Sequence, residues 1–355
     1  MFLALKEMKY AKLRYSLIIG IMFLISFVVF LLSGLANGLA TEFSEVINKW
    51  DAGSIVLSEE SNGVLAASQL RLEDLNEIEG TKKAPLALYT GAVKTASEKM
   101  NISFFGTEKE AFFLPELTEG NMFSQENEVI ISQGLADEGY EIGDTLAIGN
   151  QGVEVEITGI FSKTSYIVTP VIYGSIEAVV EAKFGADFLA VQTNYPVNAI
   201  LTEQTAPTIQ NTSFQVLSTQ ELIDELPGYA EQNLTLNAMI YFLFVIATAV
   251  IGIFMYVITL QKTAIFGVMK VQGMSTWFIA KSIIAQSFFV GIIGTTLAGL
   301  ISYSLSFILP SGMPFAVNLG LWGIYGVVLV LVAIIGGLFS TMTVTKVDPI
   351  QAIGG

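Results

Sequence analysis

The two side chains that most often act as metal ligands and general bases are missing from this chain. It has 355 residues, and none of them is histidine or cysteine. Disulfides, thiol chemistry and cysteine-ligated metals are therefore excluded, and Asp, Glu, Ser, Lys, Tyr and Met are left for chemistry. The phosphate-binding pattern G-x-x-x-x-G-K-[ST] is also absent, so the chain does not bind ATP in that manner. We expect no catalytic residue, no metal site and no resident cofactor.

The sharpest local pattern is the segment 262–281, which mixes basic residues, two glycines and apolar side chains. Lys262, Lys270 and Lys281 stand among Phe266 and other apolar residues. This mixture is typical of a short amphipathic helix at a membrane surface, where it can present a face to a partner. It is equally consistent with a solvated loop that carries ordinary positive charge.

Uncharged stretches at 15–41, 232–261 and 282–345 dominate the rest of the chain. About 20 such residues cross the hydrocarbon core of a membrane as a helix. The third stretch is too long for one crossing, and Pro310 and Pro314 break it as a turn would. We predict transmembrane helices near 16–39, 238–260, 282–308 and 321–343.

The charges between these spans predict which side of the membrane each segment occupies. Basic residues precede the first span and recur in 262–281, which places both segments in the cytoplasm by the positive-inside rule. Four crossings then put both termini inside and 42–237 outside. The predicted domains are 1–41 with the first span, the extracellular segment 42–237, and 238–355 with the other three spans and a C-terminal tail.

The outer segment, 42–237, is long enough for one or two compact units, and its sequence patterns indicate a mixed α/β fold. Apolar positions at helical spacing predict helices at 68–78, behind a capping Ser68, and at 218–226. Alternating or continuous apolar runs predict strands at 129–131, 145–148 and 153–157. The predicted fold is a membrane protein of four transmembrane α-helices with a mixed α/β extracellular domain inserted between spans one and two.

The 262–281 segment also carries a family motif. Its residues 266–275 resemble the E-I-G-V-x-K-A-x-G-A-S block of MacB/FtsX-type ABC-transporter permeases, where this block contacts the ATPase subunit. The resemblance assigns ATPase coupling to Phe266, Gly267, Lys270, Gly273 and Ser275. The sequence departs from the block at Ile265, Phe266 and Met274, and Gln286 stands where the family has Glu.

Further stretches support this resemblance over nearly the whole chain. Residues 128–136 and 143–146 are similar to a family stretch in the outer domain, and 346–352 resembles the closing D-P-x-x-A-L motif. The resemblance implies a homodimer with two copies of a cytosolic ATPase that binds ATP and Mg²⁺. It also implies mechanotransmission, in which ATPase closure tilts the spans and expels a substrate. Membrane lipid is expected as a partner, and nucleic acid is not.

Residues 10–17 and 33–39 resemble the first span of the heme-exporter permeases of Gram-positive bacteria. Heme as the transported substrate would need ligands other than His and Cys. The candidate heme-binding residues are Glu42, Phe43, Glu45, Tyr166 and Met239. The alternative is that Glu42 and Glu45 form a solvated acidic flank and that nearby aromatic residues belong to an interfacial belt.

Gly34 and Gly38 form a G-x-x-x-G pair on the first span. Such a pair lets two helices approach closely and fits a dimer contact, although simple lipid-facing packing is the competing explanation. Two other functions also remain open. The same machine could export antimicrobial peptides or other amphiphiles, or it could transport nothing and transmit a signal, as FtsX-type proteins do.

Overall fold

The computed structural model describes residues 2–80, 82–94, 99–149, 151–209, 213–310 and 312–345. The motif at 346–352 lies outside these ranges. The described helices are α1 Phe2–Tyr10, α2 Lys12–Lys49, α3 Gln133–Ala136, α4 Ile176–Phe184, α5 Ala186–Val191, α6 Thr219–Asp224, α7 Tyr229–Gln261, α8 Thr263–Val271, α9 Thr276–Ser306 and α10 Leu319–Thr345. The described strands are β1 Ser54–Ser58, β2 Leu70–Arg71, β3 Lys83–Lys94, β4 Lys99–Gly106, β5 Leu117–Gly120, β6 Glu128–Ser132, β7 Thr145–Ile148, β8 Val153–Phe161, β9 Ser165–Tyr166, β10 Thr169–Gly174, β11 Pro196–Val197, β12 Ala199–Thr202 and β13 Phe214–Leu217.

The chain forms two compact units. A helical unit contains Met1–Gly38 and Asn233–Gly355, and an inserted domain contains Leu39–Gln232. Helices α2, α7, α9 and α10 are long and apolar enough to cross a membrane, which confirms the four predicted spans. The helices exceed the predicted spans because polar turns continue them, most clearly at the end of α2 and the start of α7.

Small residues let the spans of the helical unit approach one another. A Cβ atom on Gly336 of α10 would lie 2.8 Å from the backbone nitrogen of Gly252 on α7. A Cβ atom on the next residue, Gly337, would lie 2.0 Å from the hydroxyl oxygen of Ser287 on α9. Helix α10 therefore touches two neighbours at the same height. Close backbone contact of this kind stabilises helix pairs where lipid offers no hydrophobic driving force.

The inserted domain is built on one mixed sheet. Its hydrogen-bonded order is β13-β1-β12-β3-β4-β10-β6-β8-β5, with β7 pairing with β3 and β8, and β9 with β10. The β4–β10 and β6–β8 pairs are parallel. Successive side chains point to opposite faces of a strand, so Leu86 and Leu88 enter one hydrophobic core and Ala87 enters the other. The end of α2 and helix α6 cover the first face, and α4 covers the second.

Most local predictions for this domain are confirmed. Strands β6, β7 and β8 cover the predicted strand segments, and Ser218 caps α6 through a reciprocal bond with Glu221. The helix predicted at 68–78 is wrong. The Ser68 hydroxyl accepts a hydrogen bond from the Ser58 backbone at 2.9 Å instead of capping a helix. The chain there forms β2, which pairs with β11, and then the 3₁₀ helix Leu72–Glu77.

Candidate functional site

The segment predicted to couple to an ATPase contains a helix, α8, with a sharply defined end. The Gly273 nitrogen donates to the Lys270 carbonyl at 3.0 Å, and the Met274 nitrogen donates to the Met269 carbonyl at 3.0 Å. These two bonds form a Schellman motif, which requires a left-handed residue after the helix. Gly273 supplies it with a φ of +87°. Ser275 then caps α9, its hydroxyl accepting from the Phe278 nitrogen at 3.2 Å.

Helix α8 is amphipathic in its contacts. Phe266 is 3% exposed and packs in the core of the helical unit, and Gly267 is buried beside it. Ile265, Val268 and Val271 point outward and are exposed. The predicted helix is therefore present in place of a loop, and its position on the inner membrane face stays a prediction. An exposed apolar face of this kind fits a protein partner or a membrane surface.

A buried polar cluster anchors the start of α8 to the first two helices. Lys262, the residue that precedes α8, places its Nζ 3.2 Å from the Glu7 carboxylate on α1 and donates to the Tyr15 hydroxyl on α2 at 3.3 Å. Gln286 on α9 completes the cluster, since its amide donates to Glu7 and its oxygen accepts from Tyr15. The cluster thus joins α1, α2, α8 and α9.

Neither Glu7 nor Tyr15 is among the site residues predicted from the sequence. Each of their partners lies more than 240 residues away in sequence, so no local pattern reveals the contacts. One signal was present. Glu7 is an acid between Lys6 and Lys9, in a terminal segment that is otherwise basic.

At the other end of α2, the inserted domain begins with three of the candidate binding residues. Phe43 is buried and its ring lies 6.1 Å from that of Tyr229. Glu45 is committed to an ion pair with Lys49 at 2.9 Å and lies 3.4 Å from the Ser165 hydroxyl. Glu42 is half-buried, takes part in none of the three ion pairs of the described residues, and feels the positive charge of Lys163. Its role as a heme ligand stays a prediction.

Tyr166 and Met239 occupy different environments. Tyr166 is 2% exposed, and its ring meets Phe105 at 5.4 Å in the core of the inserted domain. Burial raises the pKa of the Tyr166 phenol, so the group stays neutral. Tyr166 therefore packs in the same core as Phe43, and its role as a heme-binding residue stays a prediction. Met239 belongs to the helical unit, on α7, and is exposed.

The two glycines predicted to pack in a dimer have neighbours within their own chain. A Cβ atom on Gly34 would lie 2.3 Å from the Phe315 ring, and one on Gly38 would lie 2.3 Å from the Pro314 carbonyl. The Ala316 nitrogen also donates to the Gly34 carbonyl at 3.0 Å. The pair thus packs against the loop before α10, and its role in a dimer contact stays a prediction.

Two family models match this architecture. The MacB-like periplasmic core domain matches residues 16–207, and the FtsX-like permease C-terminal domain matches residues 237–349. The chain belongs to the MacB/FtsX-type ABC-transporter permeases. In this permease, the first match covers α2 and most of the inserted domain, and the second covers α7 to α10.

Relatives of the permease extend the match to its whole length. A protein of Staphylococcus haemolyticus named as hemin transport system permease protein HrtB is 31% identical over 99% of both chains. A protein of the same name from Staphylococcus epidermidis is 27% identical, again over 99% of both chains. The crystal structure of the periplasmic region of MacB from Actinobacillus actinomycetemcomitans aligns to 48% of this chain and 91% of its own, with 11% identity and a TM-score of 0.35.

Proposed function

We propose that this permease expels heme from the outer leaflet of the membrane. The observation that carries the proposal is the similarity over 99% of both chains to a protein named as a hemin transport permease. Heme is the substrate in this proposal, and the permease itself holds no resident cofactor. The outer leaflet suits a porphyrin, which is largely apolar and carries two propionates.

The proposed binding site lies where α2 enters the inserted domain. Glu42 would offer a half-buried carboxylate near the positive charge of Lys163, and its chain neighbour Phe43 is buried in the domain core. Glu45 contributes by holding Lys49 and the loop at Ser165 in place. Met239, on α7, remains a separate candidate ligand. Oxygen and thioether ligands bind heme iron less firmly than histidine commonly does, and an exporter must release its substrate.

Energy would come from a separate ATPase, because the chain has no nucleotide-binding motif. In the proposed complex, a homodimer of the permease binds two cytosolic ATPase subunits through α8, with Phe266, Gly267, Lys270, Gly273 and Ser275 shaping the contact. ATP closes the ATPase dimer and pushes α8. The cluster around Lys262 passes that movement to α2 and α9, and the spans move together. Both termini would lie in the cytoplasm of a Gram-positive bacterium.

The test compares hemin tolerance with and without the permease. A host that lacks its own hemin efflux is grown in rising hemin while it expresses the permease together with its ATPase. We expect tolerance only when both subunits are present. The purified complex should also show a Soret band when hemin is added.

A control complex carries an ATPase inactivated in its own nucleotide site and should restore no tolerance. Loss of the Soret band together with ATP hydrolysis stimulated by amphiphilic peptides would replace heme with peptides as the substrate. A stable complex with a cell-wall hydrolase and no effect on hemin tolerance would replace transport with signalling.

A further inference from the structure

The turn between β9 and β10 contains two residues that are poorly suited to it. Tyr166 pairs with Thr169, so Ile167 and Val168 alone form the turn. Their φ angles are +47° and +63°. Two positive φ angles define the type I′ hairpin turn, which favours Asn-Gly because β-branched residues resist the left-handed conformation.

Contacts with α2 hold the turn in this conformation. The Ile167 nitrogen donates to the Phe43 carbonyl at 3.0 Å, and the Val168 nitrogen donates to the Glu42 carbonyl at 3.2 Å. Both donors are backbone groups, and Asn and Gly would offer the same ones. The hydrogen bonds therefore explain where the turn lies. They do not explain why β-branched residues, and not Asn and Gly, occupy it.

The two side chains differ in their surroundings. Ile167 packs against the hydrophobic core that contains Phe43 and Tyr166, and this contact accounts for it. Val168 is 44% exposed. Neither hydrophobic core of the domain includes this apolar side chain, although its backbone conformation is strained, and strain of this kind is concentrated at functional sites.

We propose that Val168 forms an apolar wall of the ligand site whose polar group is the Glu42 carboxylate. The bond from the Val168 nitrogen to the Glu42 carbonyl fixes the two residues beside each other. In the proposed site, the Val168 isopropyl group and the Glu42 carboxylate would meet the same ligand, which suits the flat apolar face and polar groups of a porphyrin. This inference rests on the proposed function and adds a residue that sets specificity for the ligand.

The experiment separates strain from binding with two substitutions at one position. Val168→Asn keeps the turn, since Asn adopts the left-handed conformation readily, but removes the apolar wall. Val168→Ile keeps both the strain and the wall. The full-length permease is purified with its ATPase, its thermal unfolding midpoint is measured, and hemin is titrated while the Soret band is followed.

We expect the Val168→Asn complex to unfold at a higher temperature than wild type and to bind hemin about tenfold more weakly, as expected for the loss of a buried aliphatic contact. Val168→Ile should keep the wild-type affinity. If Val168→Asn is more stable but binds hemin with unchanged affinity, the inference about Val168 is wrong while the proposed function stands. A lower unfolding midpoint for Val168→Asn would contradict the inference in the same way. If the wild-type complex does not bind hemin, the proposed function itself fails, and the ligand named here fails with it.

Discussion

The Lys262 ammonium lies 3.2 Å from the Glu7 carboxylate, although 255 residues separate them in sequence. Their side chains are 12% and 19% exposed. Because water is largely excluded, the pair depends on its own hydrogen bonds and on those of Tyr15 and Gln286. The finding connects the start of α8 with the first helix of the chain.

Breaking this pair should damage both stability and coupling. Lys262→Met leaves the partly buried Glu7 carboxylate without its cation, and since both side chains keep some exposure the cost should stay below that of a fully buried pair, about 3–5 kcal/mol. We expect a lower unfolding midpoint and lower hemin-stimulated ATP hydrolysis in the complex. Lys281→Met, near the start of α9, is the control. Lys281 is exposed, lies outside the residues assigned to the ATPase contact, and has its ammonium 5.1 Å from the centre of the Trp277 ring. Equal behaviour of the two variants would contradict a special role for Lys262.

Gly273 should tolerate only residues that adopt a positive φ. An added Cβ atom meets nothing within 4 Å, so the obstacle is the backbone conformation and not the available space. Gly273→Ala should cost about 1–2 kcal/mol, shift the end of α8 and uncouple ATP hydrolysis from transport. Gly273→Asn should retain most of the coupling. Both activities are measured in the same membranes, and wild-type transport by the Ala variant would argue against a defined α8 end in coupling.

Gly34 should resist enlargement because of the Phe315 ring. We expect Gly34→Leu to force the loop before α10 away from α2 and to cost about 1–3 kcal/mol, a common effect of overpacking. Gly20→Leu is the matched control, because Gly20 lies on the same helix with nothing within 4 Å of its added Cβ atom. Thermal unfolding in detergent measures both variants. If they unfold alike, the internal contact of Gly34 contributes little, and a dimer contact regains support.

The two carboxylates at the end of α2 should differ in their effect on hemin. Glu42→Ala should shift or bleach the Soret band and lower hemin tolerance while the protein level stays constant, because it removes the proposed iron ligand. Glu45→Ala should act mainly on stability through the lost Lys49 ion pair, a half-exposed pair worth about 0.3–0.5 kcal/mol. A wild-type spectrum and tolerance in Glu42→Ala would exclude Glu42 as a ligand and restore the acidic-flank interpretation.

The absence of cysteine makes sidedness directly measurable. Glu126 and Gln261 are both exposed in the structure. A single cysteine at position 126 should react with a membrane-impermeant maleimide in intact cells. A single cysteine at position 261 should react only after the cells are disrupted. Labelling of the Gln261 position in intact cells would reverse the predicted topology.

Local patterns predict the elements of this permease well. Strands β6, β7 and β8 and all four spans follow from apolar periodicity, because each element buries its own residues in a regular order. Gly273, which ends α8, also belongs to the family motif at 266–275, so the sequence predicts a glycine of special importance there. The helix expected at 68–78 fails for a tertiary reason, since Ser68 binds the neighbouring β1 strand and the next residues pair with β11.

Features that depend on distant partners could not be predicted. Glu7 and Gln286 form a hydrogen bond although 279 residues separate them in sequence, and no local pattern around either residue predicts the contact. The turn at Ile167 and Val168 contradicts the extended preference of β-branched residues, so only the contacts with α2 reveal it. Gly34 and Gly38 carry the right pattern for close packing, but the sequence does not tell which surface packs on them.

The close approach of α10 to α7 and α9 at Gly336 and Gly337 has a mechanical consequence. These two adjacent glycines bring α10 close to both neighbours at the same height. A larger side chain at either position would require the neighbouring helix to move away, because the added Cβ atoms already overlap with its atoms. Under the proposed function, a movement that begins at α8 would therefore carry these three spans together at this point.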